Sequence, residues 1–229
     1  MGKKRIRDFG IVPGRVKTGE RNAITDVPGI RVGHCTVKTE ENHTGVTVIV
    51  PGPDNAFAKH YTAAAYIHNG FGKSAGVVQV EELGTLETPI ALTNTLNVGK
   101  VLDAMVEIVI EQCRKDGIEP QSINPVVGEC NDCRINHIQK RAIGEKEVRE
   151  AFAAASEEFE EGDVGAGAGT TCYGMKGGIG SASRVITIGE KEYTIGVLVQ
   201  SNFGATKDFV LNGEAVGPKI LEWKQEKSD

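Results

Sequence analysis

Aromatic side chains are scarce in this chain: Trp, Tyr and Phe make up 5% of it, with a single tryptophan. That argues against a surface on which bases or sugar rings stack. Charge of one sign is also missing in quantity. The formal net charge is −5, and the basic start, Lys3-Lys4-Arg5 with Arg7, is too short to track a phosphate backbone and reads as a solubilising tip. No stretch approaches the roughly 18 apolar residues of a membrane span, and no apolar region follows the basic start as in a secretory signal. The expectation is a soluble, cytoplasmic protein with neither nucleic acid nor membrane as partner. Five cysteines, Cys35, Cys113, Cys130, Cys133 and Cys172, are an odd number in a mid-sized chain, so reduced thiols are expected and not a disulfide framework.

Several catalytic signatures are missing as well. There is no GxSxG; Gly180-Ser-Ala-Ser-Arg184 comes closest, with the wrong spacing for a nucleophile elbow. Cys130-x-x-Cys133, with His137 four residues on, lacks the further ligands that would close a zinc tetrahedron. His34-Cys35 with His43 is weaker still. Gly169-Thr-Thr-Cys-Tyr-Gly174 has the spacing of a phosphate loop, but Met175 stands where that motif needs lysine. The residues alone reveal no nucleophile, no metal site and no nucleotide cofactor.

What is abundant is glycine. Eight of the nineteen residues from Gly162 to Gly180 are glycine, so the segment is retained where backbone must pass close to something or take positive φ. With 39% apolar residues, 229 residues suit a single α/β domain. Val46–Val50, Pro89–Thr93 and Pro125–Glu129 read as strands, and Asn22–Gly33 as short extended segments broken at Pro28-Gly29. Asn94, Thr95 and Asn97 offer cap chemistry for a helix through Val98, Val101, Leu102, Met105, Ile108, Val109 and Cys113, stopped by Gly117. A second helix is expected over Glu145–Glu161, fraying in its acidic last turn. Arg184–Ile188 and Tyr193–Gln200 form a hairpin, and Asn212-Gly213 turns another. Lys224–Asp229 reads as an exposed tail. Alternating strands and helices followed by hairpins predict mixed sheets covered by helices.

Two polar residues stand out. Glu129 closes an apolar strand, where a carboxylate binds an ammonium or is merely a strand-end charge. Asn202 follows the strand Tyr193–Gln200, where a side-chain amide donates to a developing oxyanion or simply forms a turn before Gly204.

At these residues a resemblance appears. Arg21-Asn-Ala-Ile-Thr-Asp-Val-Pro-Gly-Ile-Arg-Val-Gly-His34, Thr93-Asn-Thr-Leu-Asn-Val-Gly99, Pro125-Val-Val-Gly-Glu-Cys-Asn-Asp132, the Gly-rich segment and Val199-Gln-Ser-Asn-Phe-Gly204 occur in this order. Together they resemble the DmpA-type aminopeptidases, the L-aminopeptidase/D-esterase and β-peptidyl aminopeptidase family, from about Arg5 to Leu221. The resemblance implies a four-layer α/β/β/α sandwich with mixed sheets, completed by a separate small subunit cut from the same precursor. The small subunit's N-terminal Ser or Thr is the nucleophile, residues 1–229 are the large subunit as one domain, and the two-chain unit assembles as a tetramer. No metal or cofactor is implied. Asn202 resembles the family's oxyanion-hole asparagine and Glu129 the acid that holds the substrate's free amine. A characterised branch has Tyr two residues after that acid; here it is Asn131, which leaves a polar pocket role. The family's cut usually follows Gly, whereas Ser228-Asp229 end this chain. The alternatives are an acyltransferase of a similar self-cleaving fold and a non-enzymatic binder of small ligands.

Overall fold

A computed structural model describes residues 4–227. In chain order its strands and helices are β1 (Arg31–Lys38), β2 (His43–Val50), β3 (Tyr61–Thr62), α1 (Val77–Leu83), β4 (Thr85–Leu86), β5 (Ile90–Asn94), α2 (Val98–Lys115), β6 (Val126–Cys130), α3 (Glu145–Ala153), β7 (Thr171–Cys172), β8 (Met175–Lys176), β9 (Gly178–Ile188), β10 (Lys191–Ser201), β11 (Val210–Leu211), β12 (Glu214–Ala215) and α4 (Gly217–Glu226). The main sheet has the order β1-β2-β5-β6, antiparallel except for the parallel pair β5–β6. The other large element is the antiparallel ribbon β9–β10, paired from Gly178↔Ser201 to Ile188↔Lys191.

Strand β2 is buried along almost its whole length because it is covered on both faces. Val46, Val48 and Val50 pack with Val101, Met105 and Ile108 of α2 and with Val148 and Ala151 of α3. Its opposite face meets the Gly-rich segment: Ala166 N–H donates to Thr47 Oγ1 at 3.1 Å, and a Cβ on Gly45 would sit 2.3 Å from Gly165 O. On the far side of that segment, Val164, Ala166 and Ile179 of β9 make a second small core, with Leu92, Phe159 and Leu198 packed against it. The described residues therefore supply three layers: α2 with α3, the main sheet, and the β9–β10 ribbon.

The strands expected from sequence form, as does the helix behind Asn94, whose side chain accepts from Asn97 N–H at 3.2 Å. The Asn212-Gly213 turn also forms, with both residues at positive φ. Elsewhere the structure departs from the local pattern. The second helix stops at Ala153, eight residues short of Glu161. Four glutamates at a helix C-terminus oppose its dipole, and Ser156 instead exchanges both backbone hydrogen bonds with Val32. The Gly-rich segment is not all turn: from Gly178 it is strand β9, so the hairpin is longer than Arg184–Ile188 suggested. Residues 22–33 are only partly extended, because Ile24–Asp26 is a 3₁₀ turn.

The expected tail is helical over most of its described length. Lys224–Glu226 belong to α4, which opens with Pro218 in its first turn and lays Lys227 Nζ 4.3 Å from the Trp223 ring centre; Ser228 and Asp229 lie outside the described residues. Nor is the basic start only a tip. Lys3 lies outside the described residues, but the Arg5 guanidinium donates to the carbonyls of Arg21, Asn22 and Ser181 at 2.7–3.0 Å and pairs with Glu161 at 3.2 Å. It thereby covers part of the outer edge of β9. No helix among the described residues is long and apolar enough to cross a membrane.

Gly167 is one of the close backbone approaches that this layering requires. A Cβ there would lie 2.4 Å from Ile179 N and 2.6 Å from Gly178 C, both backbone atoms that cannot give way singly. Gly167→Ala is expected to destabilise the fold by about 1–3 kcal/mol, read as a lower denaturant midpoint; an unchanged midpoint would contradict the packing described.

Candidate active site

The carboxyl ends of β5 and β6 lie side by side, with Thr93 opposite Glu129 and Asn94 opposite Cys130. Beyond β5 the chain turns through Thr95–Asn97 into α2; in open α/β sheets ligands bind outside the carboxyl ends of the strands. Glu129 sits at this end. Its Oε1 accepts from Lys73 N–H at 3.0 Å and its Oε2 from the Thr95 hydroxyl. Both donors are neutral, and Glu129 joins no ion pair among the described residues. A half-buried carboxylate held in this way is oriented while its charge stays uncompensated, which suits an incoming cation.

The ribbon brings Asn202 to the same end. Gln200 Nε2 donates to Thr93 O at 3.1 Å and to Ala166 O at 2.8 Å, and the Cys130 thiol donates to Gln200 O at 3.6 Å. These contacts tie the end of β10 to the ends of β5 and β6. Two residues on, Asn202 Oδ1 accepts from Thr171 N–H at 3.3 Å. With its carbonyl engaged, the amide is oriented and its N–H₂ remains the donor it can offer.

Asn131 and Asn202 line one cavity of about 330 Å³ with Cys133, Arg134, Thr171 and Phe203. Asn131 Oδ1 accepts from Cys133 N–H at 3.0 Å, closing a local turn that leaves its amide N–H₂ exposed. Glu129 does not line this cavity; it lies at the adjoining strand end, between the Lys73 and Thr95 segments. A larger cavity of about 1120 Å³, between the N-terminal segment, residues 157–162 and β9, contains none of the three.

Two thiols, Cys130 beside the site and Cys35 on β1, are held protonated. Burial, with Glu129 and Asp132 alongside, pushes the Cys130 thiol up to about 11, and burial with Glu150 pushes Cys35 up to about 12. All five cysteines are free. No group of three His, Cys, Asp or Glu side chains among the described residues is arranged to hold a metal ion. His43 bonds to Asp163 at 3.0 Å, while His34 bonds to Thr47 and Glu160 O and Cys35 to Glu150, so these three side chains do not form one site.

Sequence reading missed the residues that place this site. Lys73, Thr95, Thr171 and Gln200 contact it across sequence separations of 31 to 107 residues, which no local pattern encodes. Lys176 was also unread: its ammonium donates to the carbonyls of Gly167 and Gly177 at 2.8 Å and of Thr170 at 3.3 Å, holding the turn that carries Thr171.

The sequence pattern of Peptidase family S58 matches residues 22–229. The chain belongs to peptidase family S58. It is 37% identical over 226 residues to the β-peptidyl aminopeptidase BapA of Sphingosinicella xenopeptidilytica and 38% identical to that of Sphingosinicella microcystinivorans, in each case covering 94% of this chain and 56% of the relative. The chain thus spans little more than half the length of the curated relatives it matches. Among solved structures it is similar to the PH0078 protein of Pyrococcus horikoshii OT3 (TM-score 0.92, 42% identity, 96% of this chain and 65% of that one). It is also similar to a Burkholderia sp. β-aminopeptidase (0.89, 40%, 96% and 63%). The L-aminopeptidase D-Ala-esterase/amidase of Ochrobactrum anthropi, described as a variant of the Ntn hydrolase fold, matches with a TM-score of 0.86 and 33% identity over 95% of this chain and 63% of that one. This S58 chain shares that fold.

Asp163 supports the Lys176 cage from beneath. Burial alone would raise its carboxyl, but hydrogen bonds from Lys38 and His43 and the charge of Lys176 take it well below the usual carboxylate range. A depressed carboxyl stabilises the fold above the unfolded value, near pH 4, and loses that effect as the pH falls. Asp163→Asn is therefore expected to lower Tm at pH 7, with the gap to wild type closing below about pH 4; a gap independent of pH would refute the assignment.

Proposed function

We propose that this chain is the large subunit of a self-processed serine-type aminopeptidase that removes N-terminal residues from peptides, amino-acid amides or esters. The observation that carries this reading is the pair of groups at one end of the two sheets. A carboxylate held by neutral donors, Glu129, and a side-chain amide, Asn202, whose carbonyl is fixed and whose N–H₂ is available, lie where the end of β10 is tied to the ends of β5 and β6. S58 membership and the named aminopeptidase relatives support it.

In this mechanism the nucleophile comes from further chain, for which the greater length of the relatives leaves room. Self-cleavage before a Ser or Thr frees an α-amino group that serves as base for the adjacent hydroxyl. The hydroxyl attacks the substrate carbonyl, Asn202 Nδ2 donates to the tetrahedral oxyanion, and the amine leaves as the acyl-enzyme forms. Water then releases the acid. Glu129 pairs with the substrate's ammonium, which selects the chain end. Asn131 offers a polar wall beside Asn202.

The ribbon supports a partner segment. Tyr193, Ile195, Val197 and Val199 of β10 point to the face away from the main sheet and are each 42–48% exposed. Gly180 and Ala182 lie opposite Val199 and Val197 on the same face, which makes it flat. A row of apolar side chains of this kind marks an interaction surface, here assigned to the small subunit. The proposal extends to a homo-oligomer of the two-chain unit, a tetramer as the family resemblance implies, and to a reducing cytoplasmic setting that suits five free thiols.

Intact masses of the product of the full gene are expected to include a second chain beginning with Ser or Thr; hydrolysis of amino-acid amides by an uncleaved product would refute the processing. Asn202→Ala is expected to lower kcat on amino-acid amides by about 10²–10³-fold. Glu129→Gln is expected to raise KM for free-amine substrates while sparing simple esters that lack the amine. Equal losses on both classes would remove the ammonium role from Glu129.

A further inference from the structure

The loop between β3 and α1 reaches Glu129 and was not read in the sequence. It is ordered by its own contacts. Asn69 Oδ1 accepts from Phe71 N–H at 3.0 Å, and Asn69 O accepts from Gly72 N–H at 3.3 Å. Lys73 N–H then binds Glu129 Oε1 at 3.0 Å, and a Cβ on Gly72 would lie 3.4 Å from the same oxygen. Two residues later Ala75 exchanges both backbone hydrogen bonds with Val127, at 2.9 and 3.1 Å, which fastens the loop to the free side of β6. On this constrained frame Phe71 is 83% exposed. Its ring carries the Lys73 ammonium 3.7 Å from the ring centre, and that ammonium also donates to Phe71 O.

A mobile loop often exposes an aromatic ring, but one whose backbone is pinned to a sheet edge and to a site carboxylate keeps it in water at a cost. A substrate ammonium on Glu129 puts the first residue's Cα one bond away, so its side chain must pass one of the two segments that hold the carboxylate. The Thr95 side presents Leu96, 43% exposed. The other presents Phe71.

We propose that Phe71, with the Lys73 ammonium seated on its ring, forms the wall that receives the side chain of the substrate's first residue, and that it favours large apolar side chains there. This rests on the ammonium-binding role of Glu129. The ammonium on the ring also disfavours a basic first side chain, because two cations would then share one ring.

The test compares kcat/KM for glycinamide, leucinamide and lysinamide in the full-length, processed enzyme and its Phe71→Ala and Phe71→Leu variants. Phe71→Ala is expected to lower the leucinamide-to-glycinamide ratio by about tenfold through KM, with glycinamide within about twofold of wild type and Phe71→Leu in between. Lys73→Met is expected to raise kcat/KM for lysinamide relative to leucinamide. If wild type cleaves these amides and Phe71→Ala leaves the ratio unchanged, or lowers all substrates alike, the wall assignment is overturned while the aminopeptidase reading stands. If wild type cleaves none of them, both readings fall.

Discussion

The backbone of residues 165–169 lies between two sheets, and the geometry of the candidate site follows from how closely those sheets approach it. Such a buried strip of main chain must satisfy its own polar groups. It does so with side chains from both sides. Thr36 Oγ1 takes Gly165 N–H at 2.7 Å and Thr47 Oγ1 takes Ala166 N–H, while Gln200 donates to Ala166 O and Lys176 to Gly167 O. Each of these groups would cost about 1–3 kcal/mol if buried without a partner, so the layers are locked by polar satisfaction as well as by apolar area.

The same contacts carry the chemistry. Gln200 spans from the strip to Thr93 at the end of β5, which sets the end of β10 beside the end of β6. Lys176 holds the turn whose Thr171 N–H engages Asn202, and Asp163 neutralises the charge this brings in. Beneath Glu129, Asp132 is buried and accepts from Thr44 at 2.6 Å and Asn136 at 3.1 Å; burial raises its carboxyl, and these bonds oppose the rise. The loop that follows Glu129 is therefore anchored from below, while Asn131 at its top stays exposed.

Much of the fold was legible because it rests on local rules. Val46–Val50 reads as a buried strand since β-branched residues fill both faces. The Asn94 cap and the spacing from Val98 to Cys113 announce α2. Where reading failed, tertiary contacts overrode the pattern. Residues 154–161 carry apolar residues at helical spacing, yet Ser156 pairs with Val32 and Phe159 turns into the second core. Helices α1 and α4 passed unread, one short and the other heavily charged.

The sequence by itself determined the chain's class, its main strands and helix, its S58 membership, and the identity of Glu129, Asn131 and Asn202 as residues of interest, because motif identity and periodicity are properties of short segments. Only the tertiary structure decided which groups surround them. It separated Glu129 from the cavity that Asn131 and Asn202 share, and it brought Lys73, Thr95, Thr171 and Gln200 to their sides. A hydrogen bond between residues far apart in sequence forms only once packing has paid the entropy of closing the chain between them, and no local signal records that outcome.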